Sequence, residues 1–218
     1  MQHAERQIDQ IRRRVIEGEA IGHGEKVFSI FEPHTEWISK GKAGVPFELG
    51  VKVCILEDQH QFILHHQVMQ KQIDDQVTLE MVVQAKKRFP NLNVCSFDKG
   101  LYSKANQIEL KEKLELVALP RKGKLSTQAQ ALEQADRFVK ARRAHSGVES
   151  AINALEVHGL DRCPDNGIDG FKRYVALAVV ARNIHRIGAL LWQHEQEREK
   201  RKRKTRYADR DTPYKLAA

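Results

Sequence analysis

The sequence predicts a mixed α/β fold in which helices pack on the faces of a sheet. Two strand-like runs, residues 47–56 and 61–68, are separated by a short polar segment and predict an antiparallel hairpin. Further along the chain, the short apolar runs 94–97 and 116–119 alternate with helical patterns, which is typical of an α/β sheet. A length of 218 residues is enough for one substantial core.

Helices are predicted over residues 3–17, 74–88, 103–114, 126–157 and 171–193. Each carries apolar residues at intervals of three or four, the spacing of one helix face. Asp74 or Asp75 can cap the second of these helices, and Ser126 caps the fourth. Residues 26–31 are a first strand candidate, and residues 34–44 read as a turn-rich connector with two lysines.

Composition divides the chain into three segments: a linker helix over residues 1–25, a main domain over 26–193 and a basic tail over 194–218. The tail has nine Lys or Arg residues against five acids, half of the net charge of +8. It is predicted to be disordered, and two interpretations stay open: a frayed, solvated helix end or a phosphate-binding tail.

The charge and the cysteines limit the classes of function. A net charge of +8 and a pI near 9.4 favour a polyanionic partner, nucleic acid before membrane. Three cysteines without a CxxC spacing predict a reducing compartment, with neither a disulfide framework nor a zinc site. Residues 1–14 lack a signal-peptide pattern, and the longest apolar run, 175–181, is too short to cross a bilayer. We therefore expect a cytoplasmic protein without a membrane partner.

The run from Val94 to Ser103 contains the first candidate for chemistry. Its strand-like part ends at Asp98, which is followed by Lys99 and Gly100. A strand that carries a carboxylate at its C-terminal end, just before a helix, is where α/β folds build sites. The alternative interpretation is an ordinary polar turn.

The helix around Glu149 contains the second candidate. At about 100° per residue, six polar residues lie close to one line on its surface: Arg142, His145, Ser146, Glu149, Asn153 and Glu156. The opposite side is apolar and can dock on the sheet, although many amphipathic helices have a similar polar side that simply faces solvent. If the strand at 116–119 lies beside the one bearing Asp98, Glu149 can approach Asp98. Two such carboxylates would form a hard-oxygen site for Mg²⁺ or Mn²⁺.

Five runs then form a recognisable set: FSIFEPHTEWISKGKAG, SFDKGLYS, LPRKGKLS, ARRAHSGVESAINALEVHGLDRC and GFKRYVALAVVARNIHRIG. Together they resemble the C-terminal catalytic part of bacterial insertion-sequence transposases, specifically the DDE transposases of the ISNCY-type group. The resemblance implies an RNase H-like fold over residues 26–193, three acidic ligands for Mg²⁺ or Mn²⁺, and double-stranded transposon ends and target DNA as substrates. It also implies a homodimer in the active complex and a cytoplasmic, nucleoid-associated location in bacteria.

By position, Asp98 matches the second aspartate of the family and Glu149 its glutamate, so the resemblance makes both catalytic metal ligands. His145 and Glu156 stand where related groups carry arginine and lysine; His145 is kept as a supporting residue. Six basic residues are the predicted DNA contacts: Lys99, Arg121, Lys122, Lys124, Arg142 and Arg143. Such contacts would position phosphates without reading sequence.

The family's first aspartate has no match. It belongs on a strand before the hairpin. Asp9 lies on a helix, Asp58 in a hairpin turn, Asp74 and Asp75 at a helix start, and Glu32 after the expected position. The sequence therefore predicts a truncated transposase domain that lacks its first strand and has little activity alone. Two alternatives remain open: a catalytically dead DNA-binding remnant, and another RNase H-like nuclease such as a resolvase or repair enzyme.

Overall fold

The computed structural model describes residues 2–40, 44, 46–160 and 162–208. In this part of the chain the helices are α1 (Gln2–Val15), α2 (Asp74–Arg88), α3 (Lys104–Lys113), α4 (Thr127–Gln134), α5 (Asp136–Ala144), α6 (Ser146–Leu155) and α7 (Gly167–Ala208). The strands are β1 (Glu36–Ser39), β2 (Phe47–Gly50), β3 (Lys52–Glu57), β4 (Ile63–Met69), β5 (Val94–Ser96) and β6 (Leu116–Ala118). The mixed α/β class predicted from the sequence is confirmed.

Three two-stranded ladders, and not one continuous sheet, are formed by the described strands. β1 pairs with β2 and β3 with β4, both antiparallel, and β5 pairs with β6 in parallel. The predicted hairpin is therefore β3–β4, and the strand bearing Asp98 does lie beside the next strand of the chain. The predicted strand over 47–56 is divided at Val51, because its first half pairs with β1 and its second half with β4.

The main core lies between the parallel pair and the helices α2 and α3. Its buried members lie on α2, β5, α3 and β6 or directly after the last three of these: Val82, Cys95, Phe97, Leu110, Leu114, Val117 and Leu119. Ser103 caps α3 by accepting the N–H of Asn106 at 3.1 Å, and Asn106 Nδ2 donates to the carbonyl of Asp75 at 2.6 Å. These bonds fix the start of α3 against α2, next to the turn that follows β5.

A second core joins the turn end of the hairpin to the C-terminal helix. Ile63, Leu155 and Val179 are buried together there. Asn183 on α7 binds both backbone groups of Ile63: its Oδ1 accepts the N–H at 2.9 Å and its Nδ2 donates to the carbonyl at 3.0 Å. Since each buried backbone group needs a partner, this side chain completes the ladder where β4 begins.

Two predictions about the first forty residues were wrong. Residues 26–31 form no strand, because the N–H of Val27 donates to Gln10 Oε1 on α1 and not to a neighbouring strand. The predicted connector contains β1 instead, whose Trp37 ring stacks on Phe47 of β2 at 3.7 Å between centroids.

The long helical region also differs from its prediction. Ser126 caps α4 as expected, accepting the N–H of Ala129 at 3.3 Å. The single helix predicted over residues 126–157 is interrupted at Ala135, between α4 and α5, where a ψ of 138° gives an extended backbone. α7 continues past the predicted end near residue 193 to Ala208, so residues 194–208 are helical where the sequence predicted disorder; residues 209–218 lie outside the described residues.

Candidate functional site

Asp98 lies at the C-terminal end of β5, where the parallel pair delivers it to the surface. Its Oδ1 accepts the N–H of Lys99 at 2.7 Å and caps the short turn Lys99–Leu101. The side chain is exposed, whereas Phe97 just before it is buried in the main core. A buried strand followed by a capped turn thus holds this carboxylate in a fixed direction.

A second carboxylate, that of Asp74, lies on the other side of Gly100. A Cβ placed on Gly100 would be 3.2 Å from Asp74 Oδ2 and 3.4 Å from Asp98 Oδ2. Asp74 Oδ1 pairs with Lys52 Nζ at 2.8 Å, so in both aspartates Oδ1 is bonded and Oδ2 faces Gly100. Within the described part of the chain, neither Oδ2 has a hydrogen-bond partner.

Sequence reasoning missed this role for Asp74, which it treated as a helix cap. In the structure Ile73 is the N-cap residue and Asp74 is the first residue of α2. Acidic residues favour the first turn of a helix because they face its positive dipole end. A second signal was available: the hairpin delivers α2 to the same side of the core as β5, so a carboxylate at the start of α2 can meet one at the end of β5.

Cationic groups surround this pair of aspartates. Lys122 Nζ donates to the carbonyl of Gly100 at 2.8 Å, and Lys99 is exposed beside Asp98. Arg121 is half-buried, with its backbone N–H bonded to Glu133 Oε1 at 2.9 Å, and Lys124 is exposed. Four of the six predicted phosphate contacts therefore lie on the two segments that follow β5 and β6.

The other two predicted contacts, Arg142 and Arg143, lie on the last turn of α5 and are exposed. The chain then passes through His145, in helical conformation, into α6. His145 Nδ1 and Ser96 Oγ are hydrogen-bonded at 3.3 Å. This bond fixes the start of α6 against β5, two residues before Asp98.

Glu149 is exposed, one turn into α6. From His145, α6 runs toward the turn end of the hairpin, where Leu155 packs on Ile63. Asp98, by contrast, adjoins Asp74 and through it Lys52, at the opposite end of β3. The structure thus brings Asp98 together with Asp74 at Gly100, whereas Glu149 lies on α6. Its role as a metal ligand stays a prediction from the sequence.

Glu57, the last residue of β3, lies beside α6. Its Oε1 is 3.7 Å from the position of a Cβ on Gly147, and its Oε2 is buried without a hydrogen-bond partner. Burial raises the pKa of the Glu57 carboxyl; Arg182 opposes the shift and Asp58 adds to it. Glu57 also lines a cavity of about 570 Å³ between β3 and β5, together with His145.

No group of three His, Cys, Asp or Glu side chains among the described residues is arranged to hold a metal ion. The early acid Glu32 is committed elsewhere, since its carboxylate accepts the N–H of Gly167 at 3.1 Å and so fixes the start of α7. The donor set available for a hard cation is therefore the pair Asp74 and Asp98, with Glu149 as the residue predicted to join them.

Comparison of the chain with protein-family models, curated proteins and solved structures finds no match. A function must therefore be inferred from the site itself and not from a fold-level analogy.

Proposed function

We propose that the chain is a catalytic domain of a DDE-type transposase, which cleaves DNA and transfers strands at insertion-sequence ends with the help of divalent metal ions. The observation that carries the proposal is the pair of Oδ2 atoms of Asp74 and Asp98, which face one point at the end of a parallel strand. Carboxylates in this position, within a basic protein, suit chemistry on a phosphodiester.

The residues fit a divalent cation by the chemistry of their donors. Carboxylate oxygens are the ligands that Mg²⁺ and Mn²⁺ prefer, and one oxygen of each aspartate is not engaged with the protein. When bound, such ions supply charge stabilisation and an activated oxygen for in-line displacement. In this proposal Asp98 and Asp74 hold the ion, and Lys52 keeps the Asp74 carboxylate oriented.

Glu149 is proposed as the third acidic ligand, with His145 as a positioning residue. The hydrogen bond between His145 and Ser96 supports this role, because it attaches the helix that carries Glu149 to the strand that carries Asp98. For Glu149 to reach the ion, the first turns of α6 must turn toward Gly100. Lys99, Lys122 and the exposed arginines of α5 would bind phosphates on either side.

An RNase H-like arrangement is part of the same proposal. In such a fold a central strand lies between the hairpin and the parallel pair. The cavity of about 570 Å³ lies in that place, lined by residues of β3 and of β5. The N–H of Phe97 donates to the carbonyl of Ala118 on β6. Because neighbouring residues of a strand direct their backbone groups to opposite edges, those of Ser96 point to the edge of β5 that faces away from β6, where a further strand could pair.

The test is nicking of a supercoiled plasmid that carries the DNA flanking the coding sequence, with Mg²⁺ or Mn²⁺. We expect weak cleavage that EDTA abolishes and that Asp98→Asn, Asp74→Asn and Glu149→Gln each reduce by at least about 10-fold. Glu109→Gln, a change of an exposed carboxylate on α3, is the matched control and should leave the rate unchanged. Cleavage that survives Asp98→Asn would refute the proposed site.

A second candidate is a DNA-binding domain without catalysis. It is favoured by the number of acids at the site, since no group of three His, Cys, Asp or Glu side chains among the described residues is arranged to hold a metal ion. Duplex binding with a steep salt dependence, combined with no heat of Mg²⁺ binding in calorimetry, would support this candidate. Magnesium heat that disappears in Asp98→Asn would support the transposase instead.

A further inference from the structure

Helix α7 has two apolar sides, and only one of them, here called the used side, packs against the rest of the described chain. The used side contacts the hairpin and α6 through Val175, Val179 and Asn183, and Arg186 Nε donates to the carbonyl of His60 at 2.9 Å. On a helix with 100° per residue these residues share one face. A surface helix normally has a polar opposite face, because that face meets water.

The opposite face of α7 is apolar over four turns. It carries five exposed aliphatic side chains, here called the outer stripe: Leu177, Val180, Ile184, Ile187 and Leu191. Leu177 and Leu191 are each 66% exposed and Ile184 is 63% exposed. The intervals of three and four residues repeat as in the a and d positions of a coiled coil.

We propose that the outer stripe is a self-association surface, on which α7 of a second copy of this chain packs in antiparallel orientation. The inference concerns assembly, and it holds whether or not the chain cleaves DNA. It differs from the general expectation of a homodimer because it names the helix face and the direction of packing.

The size of the outer stripe suits a second copy. Five aliphatic side chains, each about half to two-thirds exposed, present on the order of 500 Å² of apolar surface, the size of the largest patch on a typical protein surface, which is often functional. Each partner in a stable interface contributes about 800 Å², and flanking residues such as the exposed Trp192 can supply the remainder. Because the spacing matches a coiled-coil repeat, an identical helix is the partner whose side chains interlock with this one.

Charge determines the orientation. Six of the seven residues 198–204 are basic, and they continue α7 beyond the outer stripe. A parallel pair would place these two basic segments side by side, which is unfavourable. In an antiparallel pair centred between Ile184 and Ile187, each basic segment lies across from residues 167–173 of the other helix. That stretch contains Asp169, paired with Lys172, and Arg173, so the facing net charge is +1 in place of the +5 that a parallel pair would present.

A bilayer is the other surface that could cover this helix. The segment Gly167–Lys204 is long and apolar enough to cross a membrane, by length and composition only. An 18-residue stretch within it has a mean hydropathy of 1.3, and 11% of that stretch is buried. The used face of α7 contains Arg182, Asn183 and Arg186, of which the last two bind the hairpin backbone. Such polar docking is costly within lipid, so a protein partner is favoured.

The first experiment is sedimentation equilibrium of the full chain without DNA. We expect the wild type to sediment at twice its mass of 25.0 kDa, and the variant Leu177→Glu/Ile184→Glu as a monomer. The dissociation constant should rise by at least about 100-fold, because Ile184→Glu places a charge at the centre of the contact and Leu177→Glu places a second one at its end. Since neither side chain belongs to the core, circular dichroism should show unchanged helix content.

The matched control is Ile8→Glu/Ile11→Glu on α1, whose apolar side chains are also exposed, Ile11 by 53%. This variant should remain dimeric. A monomeric wild type, or a control that dissociates as readily as the α7 variant, would overturn the proposal. So would flotation of the wild type with liposomes of neutral lipid, abolished by the α7 variant, because the stripe would then be a lipid-binding surface.

The orientation is tested by disulfide cross-linking in a Cys163→Ser background. In the antiparallel pair, Val180 of one copy faces Leu191 of the other. Mixed chains carrying Val180→Cys and Leu191→Cys should therefore cross-link to each other, and neither variant should cross-link to itself. Homodimeric disulfides of each single variant would indicate parallel packing and overturn the antiparallel arrangement.

Discussion

Burial changes the chemistry of three side chains that line the cavity between β3 and β5. They are Cys54, Glu57 and Cys95. Burial raises the pKa of the Cys54 thiol to about 11, with a smaller contribution from Asp74, and that of the Cys95 thiol to about 12. It also raises the pKa of the Glu57 carboxyl above its ordinary value of 4.5. In each case an apolar environment disfavours the charged form.

Glu57 makes the stability of the fold depend on pH. A carboxyl whose pKa is higher in the folded state than in the unfolded state binds its proton more tightly when folded, so its ionisation favours unfolding. The penalty is absent below the unfolded pKa and complete once the pH exceeds the folded one. Glu57→Gln should therefore be more stable than the wild type at pH 7, and the difference should vanish below pH 4.5.

Urea unfolding at several pH values measures this difference. Glu112→Gln, on the exposed surface of α3, provides the comparison and should show no such trend. If Glu57→Gln lowers the stability at pH 7, its carboxylate has a stabilising ionic role that outweighs the cost of burial.

The thiols differ in reactivity for the same reason. Because the pKa of each thiol is raised well above 8, both Cys54 and Cys95 are almost wholly protonated at pH 8, and only the thiolate reacts. We expect a disulfide reagent such as DTNB to modify one thiol of the folded protein, that of Cys163. Cys163→Ser should abolish the fast reaction, and urea should expose the other two thiols. A fast reaction of folded Cys163→Ser would contradict the burial of both.

At the scale of elements, the amide side chain of Asn183 helps to join α7 to the hairpin, together with the Arg186–His60 hydrogen bond and the buried contacts of Val179. Asn183→Ala removes both hydrogen bonds to the backbone of the buried Ile63. Two unsatisfied backbone groups should lower the free energy of unfolding by about 2–3 kcal/mol. Asn153→Ala, at an exposed position of α6, should cost much less. Equal losses, measured by urea unfolding, would show that the two Asn183 bonds add little to the stability of the fold.

The elements that local sequence specifies were predicted well. α2 has the predicted bounds, and Ser126 caps its helix as expected. The hairpin was also found, since apolar runs on both sides of a polar turn are a short-range pattern. These features depend on residues that are neighbours along the chain.

The missed elements depend on distant residues. β1 has only four residues, too few for a pattern, and is stabilised by the stacking of Trp37 on Phe47 across the ladder. The interruption at Ala135 involves neither proline nor glycine, so propensity does not mark it. At the site, Asp98 could be found because its strand precedes it directly, whereas the approach of Asp74 depends on how α2 packs against the turn at Gly100.

At the scale of the whole molecule, half of the net charge of +8 lies in residues 194–218, where α7 extends past its apolar part. If this segment binds DNA phosphates, Lys200→Gln/Lys204→Gln should reduce the slope of log K against log salt by about 2, since each phosphate contact contributes about 0.9. Arg12→Gln/Arg14→Gln removes the same charge from α1 and should leave the slope unchanged. Equal effects in a fluorescence anisotropy titration would mean that the total charge, and not this segment, governs binding.

The bonds between Asn183 and Ile63 join residues 120 positions apart. Closing so long a loop costs chain entropy before any contact repays it. During synthesis the ribosome releases the hairpin long before Asn183, so the start of β4 stays unfinished while the intervening chain is added. The nascent polypeptide exposes apolar surface at this point until then, which makes the arrival of α7 the step that ends its exposure to chaperones and proteases.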